Sequence, residues 1–530
     1  MDNVLMLQTV LWLPLAGMFA LLVVPSGAHD AVRRLSFWTM VLQFVLVAVL
    51  YARFDPAAPG LQFATRVPWI VDWGVYFSLG LDGYNVLLVL LTAFLGPIVV
   101  AGSFTAITKD VKLFYAMVLL IQFAMMGTFL AQDLFVFYLF WETMLIPMFL
   151  LIGIWGGERR IYATLKFVLY TAFGSILMLA AIIYLVLATQ QAGGAASFAF
   201  ADLMRVKLPL DAQLWLFAAF GLSFAIKVPI FPLHTWLPDA HVEAPTTGSV
   251  ILAGVLLKMG TYGFIKLGFP LFPDATQLFT PTIMVLAVAS IVIGAGLALV
   301  QDDIKKIIAY SSISHLGYVM LGLVSLNLIG IQGAIVQMVS HGLTAAGLFL
   351  MIGMIYERCH TRDLAAYGGL ARALPVYSVA FMLLTLASIG LPTTSGFTGE
   401  FLVLLGAFNN AWTQHLGGHS FALVLAVLAA SGVVLGALYM LRFAAKFLYG
   451  EAKVPHAPVA DLVLRERLIL GAVLVAVFWL GLFPDGAMRK TEPAAREYQL
   501  LVRTSRLPAV ATAQAGVDAL APAAMPGTKP

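Results

Sequence analysis

Long apolar segments, each about the length of a membrane-spanning helix, recur along most of the chain. A helix needs about 20 predominantly apolar residues to cross a bilayer. By that measure the sequence predicts fourteen spans, near residues 4–24, 32–52, 80–104, 113–131, 134–155, 163–189, 213–236, 247–269, 278–300, 305–326, 330–356, 373–405, 420–448 and 467–485. The pattern therefore predicts an all-α polytopic membrane protein.

Two of the predicted spans contain residues that break helices. The seventh span carries Pro229 and Pro232. The twelfth is too long for one plain helix and is interrupted by Gly390, Pro392, Gly396 and Gly399. The two breaks are five spans apart, and an odd offset reverses the direction of the chain through the membrane. We therefore expect two inverted five-helix repeats, an arrangement that places transport sites at broken helices near the middle of the bilayer.

These repeats divide the chain into five parts. Residues 1–112 hold helices 1–3, residues 113–270 the first repeat with helices 4–8, and residues 271–450 the second, inverted repeat with helices 9–13. Helix 14 follows in residues 451–486. The tail, residues 487–530, is rich in alanine and proline, and we expect little secondary structure beyond its first part.

Composition supports a membrane protein and excludes several classes of site. Of 530 residues, 61% are hydrophobic and 11% charged, whereas a soluble domain has about 25% charged residues. Cys359 is the only cysteine, so neither a disulfide within the chain nor a thiolate metal cluster is possible. The sequence has no Walker A motif and no glycine-rich dinucleotide motif. We therefore expect no cofactor, no metal and no nucleic acid to bind, and a lipid bilayer as surroundings.

Basic residues in the loops predict the orientation. Loops after odd-numbered spans carry most of the loop lysines and arginines, among them Arg33, Arg34, Arg159 and Arg160. Because basic loops remain in the cytoplasm, both termini are predicted to be periplasmic. The basic residues of the tail argue the other way and weigh less, since charges far along the chain usually count less than the accumulated loop bias.

Four ionisable residues inside predicted spans are the candidates for ion transport: Glu142, Lys227, Lys258 and Glu400. A charge at the centre of a bilayer costs about 2.5–3.5 kcal/mol on insertion scales, so such residues usually face a polar interior and have a function. Glu142 and Lys227 are predicted to pair and to act as a protonation switch. The structural alternatives are a static salt bridge for this pair and an interfacial position for Glu400.

Histidines in or beside the spans extend this set: His234, His241, His315 and His341. Histidine can pass a proton near neutral pH, although a single one is more often a hydrogen-bonded core residue. Four histidines together with the lysines favour a proton relay. A haem held by His315 and His341 has no further signature to support it. Lys305 and Lys306 are interpreted as a solvated helix entrance, with Asp302 or Asp303 as its cap.

Five stretches together resemble the antiporter-like membrane subunits of proton-pumping NADH–quinone oxidoreductase, respiratory complex I. They are FWETMLIPMFLL, FAIKVPIFPLHTWLPDAHVEAPTTGSVILAGVLLKMGTYG, QDDIKKIIAYSSISHLGYVMLG, QMVSHGLTAAGLFLMIGMIYER and GLPTTSGFTGEFLVL. Within that family the chain is most similar to the subunit M branch. That branch carries a glutamate in the broken twelfth span, as Glu400 does here, whereas the sister subunits L and N tend to carry lysine.

The resemblance implies a role for each candidate residue. Glu142 and Lys227 match the family's ion pair, Lys258 its central lysine and Glu400 its exit-side carboxylate. His234, His315 and His341 match polar residues of the connecting axis. The implied function is to move protons from cytoplasm to periplasm across a bacterial inner membrane. NADH oxidation and quinone reduction would take place in other subunits, and subunits L and N would be neighbours.

Three alternatives remain open at this point. The core stretches are shared with Mrp-type cation/proton antiporters and with the membrane arms of proton-pumping hydrogenases. A membrane scaffold that carries no ion belongs to a different class. A stand-alone transporter of an organic solute predicts uptake by the isolated chain. Proton pumping after substitution of Lys258 and Glu400, and the subunits that co-purify, would discriminate among them.

Overall fold

The structure, a computed structural model, describes residues 2–58, 60–191, 194–453 and 459–503. Within these ranges the chain is mostly helical. The first nine helices are α1 (Asn3–Val23), α2 (His29–Arg53), α3 (Val86–Gly102), α4 (Val111–Leu130), α5 (Leu134–Trp155), α6 (Arg160–Gln191), α7 (Leu210–Lys227), α8 (Trp236–Glu243) and α9 (Thr246–Leu271). The others are α10 (Pro273–Leu299), α11 (Ile304–Val324), α12 (Leu328–Cys359), α13 (Pro375–Ile389), α14 (Ser395–Leu416), α15 (Phe421–Leu448), α16 (Leu464–Leu482) and α17 (Asp485–Arg503). Short helical turns lie at Val71–Trp73, Phe200–Leu203, Leu364–Ala366 and Leu370–Ala373.

Eleven helices of the described residues are long and apolar enough to cross a membrane, or twelve if the bent pair α16–α17 counts as one span. Two shorter apolar helices, α3 and α13, accompany them. The chain is therefore a polytopic helical membrane protein, as its hydrophobic pattern predicts. The count of fourteen spans stays a prediction.

Three helices form the enclosed centre of the molecule. The apolar windows of α9 and α12 are buried along their whole length, and that of α11 nearly so. Helices α10 and α14 pack against this centre from outside. Polar side chains on the three central helices are therefore shielded from lipid, and each needs a protein partner because an unpaired polar group is costly there.

Helix α9 departs from regular α geometry on both sides of Lys258. The turns Leu252–Leu256 and Phe264–Gly268 are π-helical. Such single π turns are rare and occur frequently at functional sites. The sequence predicts one plain helix here, because a π turn leaves the apolar pattern almost unchanged.

The two predicted helix breaks are present. Helix α7 ends at Lys227 and α8 begins at Trp236, with both prolines between them. Helix α13 ends at Ile389, and Gly390 follows with a φ of +83°, a left-handed conformation that favours glycine.

Two glycines expected to contribute to the second break lie inside α14 instead. An added Cβ at Gly396 would lie 2.3 Å from the carbonyl oxygen of Ala387. An added Cβ at Gly399 would lie 2.4 Å from Oε1 of Gln337. These glycines permit close packing of α14 against α13 and α12, so the interpretation of both as helix breakers is wrong.

Two local features escaped the hydrophobic pattern. Residues Gln62–Ile70 (β1) and Val75–Leu81 (β2) form an antiparallel hairpin, so α3 begins at Val86 and not at the predicted residue 80. Helix α5 is interrupted at Met144, two residues after Glu142. An alternating strand beside a long apolar segment and a one-residue interruption are both too short to change a span-length window.

The chain after α16 is helical as far as Arg503. Helix α17 bends away from α16 by 67° and buries a stripe of Ala487, Thr491, Ala494, Tyr498 and Val502. This spacing of three or four residues is that of one helix face. The Tyr498 hydroxyl donates a hydrogen bond of 3.1 Å to the carbonyl of Leu323. The first part of the tail is thus a packed helix, and residues 504–530 lie outside the described residues.

Asp133 holds the hairpin against the start of α5. Its Oδ1 accepts hydrogen bonds from the backbone N–H groups of Phe135 and Val136, at 2.9 and 3.2 Å. Its Oδ2 accepts from the N–H of Tyr76 in β2, at 3.1 Å. Burial raises the pKa of this carboxyl to about 6, while the three N–H donors act in the opposite direction. One side chain therefore starts the helix that carries Glu142 and fixes it to the hairpin.

We expect Asp133→Ala to lower the free energy of unfolding by about 1–2 kcal/mol, because a helix cap is lost and buried N–H groups lose their acceptor. Thermal unfolding of the purified, detergent-solubilised complex would measure this. Asp133→Asn is the matched control, since its amide oxygen can still cap α5, and it should lose less. Equal stability of Asp133→Ala and the wild type would show that the cap is dispensable.

Candidate functional site

Lys258 is the most deeply buried cation of the central helices, with a relative exposure of 0%. Its Nζ lies 2.7 Å from Nδ1 of His341 on α12. The same Nζ donates to the carbonyl of Ala253, which belongs to the first π turn of α9. The side chain therefore points inward to protein acceptors and not to the membrane surface.

His315 and Glu400 form a second polar contact, on α11 and α14. Nδ1 of His315 lies 2.6 Å from Oε1 of Glu400. Nε2 of Gln337 donates to the same carboxylate oxygen at 2.9 Å. On its other side, Nε2 of His315 lies 3.3 Å from Oγ of Ser388 and 3.4 Å from Oη of Tyr439. Glu400 is therefore a buried and hydrogen-bonded acid, and not an interfacial one.

The two contacts meet at the imidazoles. The ring centroids of His315 and His341 are 5.5 Å apart, and Nε2 of His341 is buried without a hydrogen-bond partner. Lys258, His341, His315 and Glu400 thus form one row, which we call the central row. An amine, two imidazoles and a carboxylate can each take up and release a proton, so the row can pass protons from one member to the next.

The expected contact between Glu142 and Lys227 is not made in this structure. Lys227 is 2% exposed, and its Nζ has no hydrogen-bond partner; Oε1 of Glu142 is buried without one as well. The Lys227 ammonium lies 5.1 Å from the ring centroid of Trp141 and 5.8 Å from that of Phe167. These aromatic faces attract a cation. The two charges lie in one region, and their ion pair is open.

The remaining predicted histidine lies apart from the central row. His234 is in the connector between α7 and α8, stacked on Phe231 at 5.5 Å, and its Nδ1 has no hydrogen-bond partner among the described residues. His241, which the sequence leaves without a specific role, is fully buried in α8 and stacks on Phe349 at 4.6 Å. Both its ring nitrogens lack a hydrogen-bond partner within the described chain.

Lys305 is buried, so the interpretation as part of a solvated helix entrance is wrong for this residue. It is 5% exposed, and its Nζ donates to the carbonyl of Ala244 at 2.8 Å. The expected cap at this helix start is Asp303, whose Oδ1 accepts from the backbone N–H groups of Lys305 and Lys306 at 2.8 and 3.2 Å. Adjacent lysines look alike in a sequence, and only the packing of α11 shows which one points inward.

The sequence also leaves Asp82, Lys266, Gln337 and Tyr439 unmentioned or without a role. Nζ of Lys266, at the end of α9, lies 2.5 Å from Oδ2 of Asp82 after β2. The two residues are 184 positions apart, and no local pattern connects them. Gln337 and Tyr439 are ordinary polar residues of apolar helices, and their signal is tertiary: both contact the His315–Glu400 pair.

A family model described as "NADH:quinone oxidoreductase/Mrp antiporter, TM" matches residues 131–442. A curated relative, NADH-quinone oxidoreductase subunit M of Rhodobacter capsulatus, is 44% identical over 493 residues, which cover 91% of this chain and 93% of the relative.

Solved structures share the fold. A chain of respiratory complex I from Thermus thermophilus with bound NADH superposes with a TM-score of 0.83 at 33% identity, covering 94% of this chain and 99% of that one. A chain of the Mrp complex from Dietzia sp. DQ12-45-1b has a TM-score of 0.79 at 19% identity, covering 94% and 99%, and shows the fold alone. The chain therefore belongs to the family of antiporter-like membrane subunits of NADH:quinone oxidoreductase, on the branch of the proteins called subunit M.

Proposed function

We propose that this subunit translocates protons from the cytoplasm to the periplasm, driven by NADH oxidation and quinone reduction in other subunits of the complex. The observation that carries the proposal is the central row, in which Lys258, His341, His315 and Glu400 connect four helices inside the apolar centre. A purely structural helix contact needs one polar pair. A row of four groups that all exchange protons is what a relay needs.

The order of the row gives the proposed sequence of steps. Lys258 receives a proton and passes it to His341. His341 and His315 exchange it across the gap between their rings. Glu400 takes it from His315 and releases it on the outer side. Each step moves one proton between two groups of this chain, and the row returns to its starting state when Lys258 is loaded again.

The Glu142–Lys227 pair is the proposed switch. A carboxylate and an ammonium about 4 Å apart attract by roughly 4 kcal/mol at an effective dielectric constant near 20. The open pair seen here leaves Lys227 with aromatic neighbours only. Closing the pair would stabilise the charge on Lys227, and opening it would make that charge available to repel a proton on Lys258. His234, between the breaks of α7 and α8, would assist this step.

The finer architecture is part of the same proposal. Fourteen spans with two inverted five-helix repeats would place both breaks near the midplane, and both termini would be periplasmic in a bacterial inner membrane. Sister subunits L and N would be direct neighbours among the other subunits of the complex. This chain would hold no redox cofactor. Shared family features favour the complex I function over an Mrp antiporter, because the curated subunit M relatives match at higher identity.

The switch is tested with Glu142→Gln in membranes that carry the assembled complex. We expect NADH-driven proton pumping and NADH–quinone electron transfer to fall together by about tenfold, since an uncharged side chain cannot close the pair. Glu451→Gln is the matched control, because Glu451 is an exposed loop residue. Normal activity of Glu142→Gln would reduce Glu142 to a structural residue and favour the scaffold alternative.

A further inference from the structure

The central row begins at Lys258, which is fully buried, so a proton needs a way in. One buried cation lies outside the row and outside the proposed switch: Lys305, at the start of α11. Its ammonium can donate three hydrogen bonds, and the structure gives it one acceptor, the carbonyl of Ala244. A static anchor would use a larger share of this capacity, since an incompletely paired buried ammonium is costly.

A small charged cavity lies above Lys305. It has a volume of about 140 Å³, and its lining includes Arg159, Glu243, Asp303 and Arg362. Asp303 caps α11 two residues before Lys305, and Glu243 directly precedes Ala244, the residue that accepts the Lys305 hydrogen bond. The floor of the cavity and the surroundings of Lys305 are therefore built from the same two short segments.

Arg362 holds the two carboxylates of the cavity in place. Its Nε lies 3.5 Å from Asp303 and its Nη2 lies 3.9 Å from Glu243, while Nη1 donates to the carbonyl of Val242 at 2.6 Å. Glu243 also accepts from the backbone N–H of Arg159 at 2.9 Å. The charges of Glu243, Asp303 and Arg362 all act on Lys305. Two acids fixed next to a buried amine can pass a proton to it.

The side of the membrane is consistent with uptake. The four residues that line this cavity belong to connections that follow the fifth, seventh, ninth and eleventh predicted spans. These are the connections rich in lysine and arginine, which the distribution of basic residues places in the cytoplasm. The loop pattern and the cavity are independent observations, and both indicate an opening on the side from which the proposed transport starts.

His241 connects Lys305 to the central row. It is fully buried, and both of its ring nitrogens lack a hydrogen-bond partner within the described residues. The ammonium groups of Lys305 and Lys258 both act on its charge. Its ring is held flat against Phe349, at 4.6 Å and an interplanar angle of 10°. An oriented imidazole between two lysines can receive a proton on one nitrogen and release one from the other.

We propose that Lys305 is the proton-uptake group of this subunit, fed from the cavity of Glu243 and Asp303. The Lys305 ammonium gives a proton to the neutral imidazole of His241, which gives the proton of its other nitrogen to the neutral amine of Lys258. The Lys305 amine then takes a proton from the cavity, so that one proton has moved inward. This inference rests on the proposed function and adds its cytoplasmic opening.

Arginine and methionine at position 305 separate uptake from anchoring. An arginine can donate to the Ala244 carbonyl but stays protonated at every accessible pH, so it can anchor and cannot relay. We expect Lys305→Arg and Lys305→Met each to lower NADH-driven proton pumping and quinone reduction by about tenfold or more in assembled complex. Lys446→Met, at an exposed lysine on α15, is the control and should remain active.

The outcomes distinguish this inference from the proposed function. Recovery of activity by arginine but not by methionine would make Lys305 an anchor and overturn the inference, as would full activity of Lys305→Met. Lys258→Met is measured beside them, because full activity there would reject the proposed function itself. If neither Lys305 variant assembles, Glu243→Gln decides: a loss of pumping by about tenfold supports uptake through the cavity, and normal pumping rejects it.

Discussion

Lys258→Met is expected to abolish NADH-driven proton pumping by the assembled complex and to lower quinone reduction by about 100-fold. Methionine keeps the length and apolar volume of the lysine stem and removes the one group that contacts His341. Every proton in the proposed sequence passes through this amine. Electron transfer should fall as well, because the redox steps in a coupled enzyme cannot run ahead of the proton steps.

The measurement is the acidification of inside-out vesicles together with NADH–quinone reductase activity, both normalised to assembled complex. Assembly needs its own check, because the substitution leaves the Ala253 carbonyl and Nδ1 of His341 without their partner, at about 1–3 kcal/mol for each buried group. Lys109→Met, at an exposed loop lysine, is the control. Pumping at the normal proton-to-electron ratio in Lys258→Met would leave the central row without a function.

The sequence identifies Lys258 and its neighbours because buried charge is rare. A lysine or glutamate in the middle of a 20-residue apolar segment has a high cost, and its presence alone predicts a polar interior. Proline and glycine locate the helix breaks for an equally direct reason, since they change the backbone itself. These signals are local, and the structure places Lys258, His341, His315 and Glu400 in one row.

What the sequence could not predict is tertiary or too short for its pattern. Lys305 and Lys306 are neighbours in an identical context, and the packing of α11 alone buries one of them. The Asp82–Lys266 contact joins residues on different elements. The π turns around Lys258 leave the hydrophobic pattern unchanged. The open Glu142–Lys227 pair is a matter of side-chain position, which a family resemblance does not determine.

Glu400→Gln is the second substitution with a large expected effect: a loss of proton pumping by about 100-fold with the complex assembled. The amide keeps the side-chain length, and its oxygen can still accept the hydrogen bond from Gln337. Assembly should therefore be near normal. What is lost is the ability of this side chain to take a proton from His315, which now contacts the carboxylate at 2.6 Å. Vesicle acidification and quinone reduction are measured as for Lys258→Met.

Glu400→Asp separates a role in proton transfer from a role as a hydrogen-bond acceptor. Aspartate keeps the carboxylate but withdraws it by one methylene from His315 and Gln337. If Glu400 carries protons, the order of pumping rates should be glutamate, then aspartate, then glutamine, because a misplaced acid still exchanges protons and an amide does not. If Glu400 only accepts hydrogen bonds, glutamine should match or exceed aspartate, since it preserves both length and acceptor. A glutamine variant that pumps better than the aspartate variant would thus end the proposed row at His315.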